Sequence, residues 1–221
     1  MLNCDLHRSE LQKRVDSIRA VLAATHSPAT GTTDISREAR GLVIVLLYAS
    51  YENLLTSLCR SLLEAAVQLR VGNRRLKPGL KVFAVFDHLQ AATDVTPSRI
   101  WRGGGLEIVD AITHPRSCTI DVSTFPSDGS HMKRGQLATF CTLFSLGEPG
   151  PVLREIWNRL DTIVDERNGI AHGRLTADEV GRNYSVQELA NLADLWLLRW
   201  SEFLAWVESQ AATRDFFRLA R

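Results

Sequence analysis

The chain has 221 residues, of which 45% are hydrophobic and 23% charged, with a formal net charge of +1. That is enough length and apolar content to bury a substantial core, in proportions ordinary for a globular protein. So balanced a charge excludes a protein that coats nucleic acid by bulk electrostatics, while leaving room for a local basic groove.

The four cysteines, Cys4, Cys59, Cys118 and Cys141, form no C-x-x-C pair. That is the pattern of a reducing compartment and not of a disulfide framework. No apolar signal region opens the chain, and the longest apolar run, Leu42 to Ala49, falls far short of the roughly 20 residues that span a bilayer. A cytoplasmic protein with no membrane contact is expected.

In chain order, the spacing of Leu11, Val15, Ile18 and Leu22 predicts a first helix over about 5–24. Pro28 and Gly31 break it. Asp34 is the expected N-cap of the next helix, with Glu38 in its first turn. That helix, about 35–70, is apolar on every face from Leu42 to Ala49, which predicts a central position. Beyond Tyr51 it narrows to a stripe of Leu55, Leu58, Leu62, Ala66 and Leu69. Arg70, Arg74, Arg75, Lys77 and Lys81 come after it with no acid among them. They read either as a solvated loop or as an electropositive rim for an RNA backbone.

A helix is predicted over about 80–92 and a short one over 106–112. Residues 113–132 read as an irregular insertion, in which Thr119 to Phe125 alternate weakly like a strand. Helices over about 134–144 and 152–172 come next. Ser185 and Glu188 then form a capping box that opens a last helix, about 185–211, with Leu189, Ala193, Trp196, Trp200, Leu204 and Val207 on one face. No internal repeat is visible. The fold class is all-α, with one helical domain over 1–221.

The chemistry concentrates at the end of the 152–172 helix. Leu153, Ile156, Trp157, Leu160, Ile163 and Val164 make an apolar stripe, and the same helical phase carries it on through Arg167, Asn168 and Ala171, with His172 at its edge. An arginine, an amide and an imidazole therefore stand where core residues are due. A plain helix end explains part of this, because basic residues complement the C-terminal dipole and Gly173 is a natural terminator. It does not explain polar residues on the apolar side.

Such a trio can support transesterification of RNA. Histidine moves a proton to or from the 2′-hydroxyl or the leaving 5′-oxygen. Arginine presents a fixed fork of donors to the phosphate, and asparagine orients either one. The reaction calls for no metal and no other cofactor. One short segment is too little to supply both acid and base, which points to two copies meeting.

Arg167-Asn168-Gly169-Ile170-Ala171-His172 resembles the R-x4-6-H motif of the HEPN superfamily. Tyr48, Tyr51 and Glu52 on the long apolar helix resemble the early helix of the RiboL-PSP-like HEPN ribonucleases, and the capped Ser185 helix resembles their last one. The likeness covers roughly 35–70 and 134–210. It implies an up-and-down helical bundle that forms a homodimer, with both motifs in one cleft. It also implies metal-independent cleavage of RNA to a 2′,3′-cyclic phosphate, in a toxin or phage-defence effector restrained by an antitoxin or sensor protein.

Carried over by position, Arg167 and His172 are the catalytic pair and Asn168 their polar support. Glu52, with Tyr51 beside it, positions the arginine or is simply solvated. Arg70, Arg74, Arg75, Lys77 and Arg174 are candidate RNA contacts. HEPN toxins silenced by adenylylation carry a tyrosine two residues after the histidine, where this chain has Arg174. The competing class is a catalytically silent HEPN module that binds a partner protein or nucleotide, an antitoxin or immunity role included. Cys4 and His7 have ligand-like spacing but no second pair, and Trp157, Trp196 and Trp200 fall on apolar faces as core or dimer interface.

Overall fold

A computed structural model describes residues 2–26, 33–92, 100–115, 118–127 and 132–219. The predicted break at 27–32 and the 116–117 and 128–131 parts of the predicted insertion lie outside them. The protein is all-α. Helix α1 (Asp5–Thr25) buries Leu11, Val15, Ile18 and Leu22 on one stripe, as their spacing predicts.

Helix α2 (Asp34–Gln68) is capped by Thr33 and not by Asp34. The Thr33 hydroxyl accepts from the Ser36 amide and the Ser36 hydroxyl accepts from the Thr33 amide. Asp34 instead supplies negative charge at the positive end of the helix dipole, and Glu38 lies one residue further into the helix than expected. The apolar middle of α2 is central: α2 packs against four other helices, and Val43, Ile44, Leu47, Leu54, Leu55 and Leu58 are buried. Its burial is not all-round, however, since Leu42 and Leu46 are exposed. By length and composition α2 is apolar enough to cross a membrane, and here that character is used against its helical neighbours.

The single helix predicted over 80–92 is two, α3 (Pro78–Ala84) and α4 (Phe86–Ala92). Pro78 starts α3 two residues early, because its missing N–H costs nothing in a first turn. Val85, at φ −121° and ψ 15°, separates the pair. A short π-helical turn at Ile100–Gly104 leads into α5 (Gly105–Thr113).

The weak alternation over 119–125 does not make a strand. The Ser123 amide and hydroxyl both donate to the Asp121 carboxylate, turning the chain there. Nor is the segment a loose insertion. Cys118 and Ile120 are buried, the Cys118 amide donates to Val71 O, and Gln136 donates to Pro126 O. The one bridge among the described residues joins Leu76 to Arg218.

Helix α6 (Arg134–Leu143) and a single turn α7 (Gly150–Leu153) precede the motif helix. The continuous helix predicted over 152–172 is broken: Arg154 sits at φ 44°, and Arg154–Arg159 is wound as a 3₁₀-helix before α8 (Leu160–Ala171) begins. The apolar stripe survives the break because 3₁₀ winding stacks residues three apart, so Leu153, Ile156 and Leu160 remain buried. Helices α9 (Ala177–Gly181) and α10 (Val186–Gln210) complete the bundle, α10 opening on the Ser185–Glu188 capping box.

Trp196 and Trp200 are core residues. Tyr51 stacks on Trp200 at 4.9 Å and meets Trp196 edge-on, and Trp196 Nε1 donates to the Ser50 hydroxyl.

Cys4 and His7 do not converge. The Cys4 amide donates to Glu208, whereas the His7 ring lies between the hydroxyls of Ser57 (3.2 Å) and Ser61 (3.1 Å) on α2. Burial holds the His7 imidazole below its ordinary 6.5. The unfolded chain therefore takes up this proton first as pH falls, and stability is lost progressively below pH 6.5. His7→Gln is expected to flatten that part of the acid-stability curve, measured as Tm between neutral pH and pH 5. An unchanged slope would assign the acid sensitivity elsewhere.

Candidate active site

Three separate anchors fix the motif helix α8. Leu160, Ile163 and Val164 are buried in the core, and α8 packs against α2. The Arg134 amide and guanidinium both donate to Asp161 (2.8 and 2.9 Å), and Lys133 pairs with Asp165 at 2.7 Å. On another side the Tyr184 hydroxyl donates to Glu166 at 2.7 Å. Burial raises the Glu166 carboxyl above its usual range, against the opposing pull of that hydrogen bond.

The helix ends in a complete Schellman motif. The Gly173 amide donates to Ile170 O and the Arg174 amide to Gly169 O, with Gly173 at φ +67°. The predicted terminator is therefore Gly173, and Leu175 folds back against Gly169. The next short helix, α9, is clamped to α2. Thr176 and Glu179 cap it, Arg37 Nε donates to Asp178 at 2.7 Å, and buried Arg40 donates to Gly181 O at 2.9 Å. The approach is close enough that a Cβ on Gly41 would lie 2.0 Å from Ala177 O.

This frame holds the candidate residues unequally. Arg167 and Asn168 are half-buried, and Arg167 Nη1 donates to the Asn168 side-chain oxygen at 2.9 Å. The Arg167 guanidinium carbon lies over the Tyr48 ring, 4.2 Å from its centre, a contact worth about 1–2 kcal/mol where it is partly desolvated. No carboxylate comes within ion-pair distance of Arg167 among the described residues, so most of its N–H fork is open.

Ala171 and His172 are exposed, which corrects the expectation that the buried stripe runs on through Ala171 with His172 at its edge. The helix ends at Ala171, and His172 leaves helical phase at φ −97°, ψ 8°. Its imidazole has no hydrogen-bond partner among the described residues.

The supporting pair is also rearranged. Tyr51 belongs to the core, its hydroxyl donating to Met132 O at 2.7 Å, and does not reach the motif. Tyr48 takes that place, one turn earlier on α2. Its hydroxyl donates to Glu52 at 3.0 Å, and burial followed by that bond pushes the phenol up to about 12. Glu52 thus reaches Arg167 through Tyr48 and makes no direct ion pair with it. The signal that could have selected Tyr48 is its i, i+4 spacing to Glu52, which puts both on one helix face.

The predicted basic rim is not at the motif. At roughly 1.5 Å per residue, the end of α2 lies about 30 Å from Tyr48. There the 75–77 backbone pairs with the C-terminal tail, Lys77 N donating to Phe217 O and Leu219 N to Arg75 O. The Lys77 ammonium sits over Phe216, leaving Arg70 and Arg74 exposed. Arg174 alone of the predicted RNA contacts is at the motif, lining a shallow pocket with Asp165, Gly169 and Leu175. No three His, Cys, Asp or Glu side chains that could hold a metal ion converge among the described residues. No family model, curated protein or solved structure matches the chain.

Proposed function

We propose that the protein is a HEPN-type endoribonuclease that cuts RNA by attack of the 2′-hydroxyl on the adjacent phosphate, without a metal cofactor. The observation that carries this reading is Arg167: a half-buried guanidinium held by a ring face and an amide, unpaired with any carboxylate among the described residues, five residues before an exposed histidine. A cation so placed is pre-arranged for an anion that must come from outside. His172 supplies the proton transfer and Asn168 fixes the guanidinium. Arg174 is the local contact for the RNA backbone.

The active unit is a homodimer. On α2, the exposed Leu42 and Leu46 form an apolar ridge that a second copy would cover, set about 80–160° round the helix from Tyr48 and Glu52 at about 100° per residue. A second copy also supplies a group to orient His172, whose imidazole has no hydrogen-bond partner among the described residues. The protein acts in the cytoplasm as a toxin or phage-defence effector, held in check by an antitoxin or sensor protein. Purified protein is expected to run at twice the chain mass and to cut mixed RNA in excess EDTA. Intact RNA after prolonged incubation would sink the proposal.

The His172 imidazole, without a hydrogen-bond partner among the described residues, favours one second reading, a silent HEPN module that binds a partner protein or nucleotide. Tight nucleotide binding by a dimer that leaves RNA intact is the result that reading expects.

A further inference from the structure

The Arg167 guanidinium carbon lies over the Tyr48 ring, 4.2 Å from its centre, while one N–H goes to Asn168. Its remaining N–H donors have no partner among the described residues. Direct pairing with Glu52 would have consumed those same donors and neutralised the charge. Instead the Glu52 carboxylate accepts from the Tyr48 hydroxyl one turn away on α2, and a phenol donating to a carboxylate carries a more electron-rich ring. The carboxylate therefore strengthens the ring's hold on the cation without occupying the donors that meet a phosphate.

We infer that Tyr48, tied by Glu52, is the positioning residue of the site, holding the Arg167 guanidinium over its ring so that the remaining N–H donors stay open to a phosphodiester. Tyr48 does not itself exchange protons in the reaction: burial and the bond to Glu52 keep the phenol protonated up to about pH 12. Its ring is nearly fully buried, and α2 sets its direction from within the core. The inference rests on the ribonuclease reading for its kinetic consequence, but not for the contact itself.

The test separates the two. In Tyr48→Leu the side-chain Nε–H resonance of Arg167 is expected to lose its ring-current shift, and kcat for RNA cleavage to fall about tenfold to a hundredfold from misplacement of the guanidinium, with KM changed little. Tyr48→Phe, which keeps the ring, is expected to restore the resonance and most of kcat. Should Tyr48→Leu not fold, Glu52→Ala serves in its place, with a smaller shift of the same resonance and a smaller loss of kcat. Wild-type kcat or an unmoved Arg167 resonance in Tyr48→Leu, or in Glu52→Ala where Tyr48→Leu does not fold, overturns the inference. A wild-type protein that cuts no RNA, yet whose Arg167 resonance depends on Tyr48 and moves on titration with inorganic phosphate, supports the positioning role and overturns the ribonuclease reading.

Discussion

Arg167→Ala and His172→Ala are each expected to lower RNA cleavage by about a hundredfold to ten-thousandfold, the range for loss of a positioned general acid–base or of a cation at developing phosphate charge. Neither should unfold the protein. His172 is exposed beyond the last turn of α8, and removing Arg167 forfeits one cation–π contact and one hydrogen bond to the Asn168 side-chain oxygen. Arg167→Lys should not rescue activity, because a compact ammonium cannot sit over Tyr48 and still present a planar fork of donors to a phosphate. Kinetic assays beside thermal melts decide the matter: both variants folded and both as active as wild type would remove these residues from the mechanism. If the two act as one unit, the double variant loses no more than the worse single variant.

Gly41→Ala is expected to carry a large stability cost for so conservative a change near the site. A Cβ there would lie 2.0 Å from Ala177 O, and the facing Gly181 is as crowded, its Cβ 1.9 Å from Arg37 O. Backbone cannot yield as a side-chain tip can, so α9 must move off α2. Overpacking of that severity costs on the order of 3 kcal/mol, which for a chain of this size is a fall in Tm of about 6–12 °C. Displacing α9 also frees the 173–176 connection that sets His172, so cleavage should fall beyond what the stability loss explains. A Tm within 2 °C of wild type, about 1 kcal/mol or less, would show that α9 tolerates the displacement.

The all-α class was legible in the sequence because burial and helical period agree over long stretches. Leu11 to Leu22 on α1, Leu55 to Ala66 on α2 and Leu189 to Val207 on α10 all bury the faces their spacing predicts. The Ser185–Glu188 box was legible because its two hydrogen bonds are local. The break at Arg154 was not, since 3₁₀ and α windings both keep Leu153, Ile156 and Leu160 on one side. Nor was the strap at 118–127, whose bonds to Val71 and Gln136 are non-local.

At the site, the Gly173 terminator could be read from residue type alone, while the choice between Tyr48 and Tyr51 could not. They sit three residues apart on a helix that is apolar on most faces. Only the positions of Trp196 and Trp200 decide that Tyr51 turns into the core and Tyr48 faces the motif. The exposure of His172 depended on where α8 stops, and one residue of helix length was enough to change it.

The most direct test of the central claim is the chemistry of the cut. Purified wild-type protein in EDTA should cleave an RNA oligonucleotide to a product ending in a 2′,3′-cyclic phosphate. The same oligonucleotide with a single 2′-deoxy substitution at the cut position should remain whole. Cleavage of the 2′-deoxy substrate at the same bond, or equal cleavage by a protein carrying both Arg167→Ala and His172→Ala, would contradict the account.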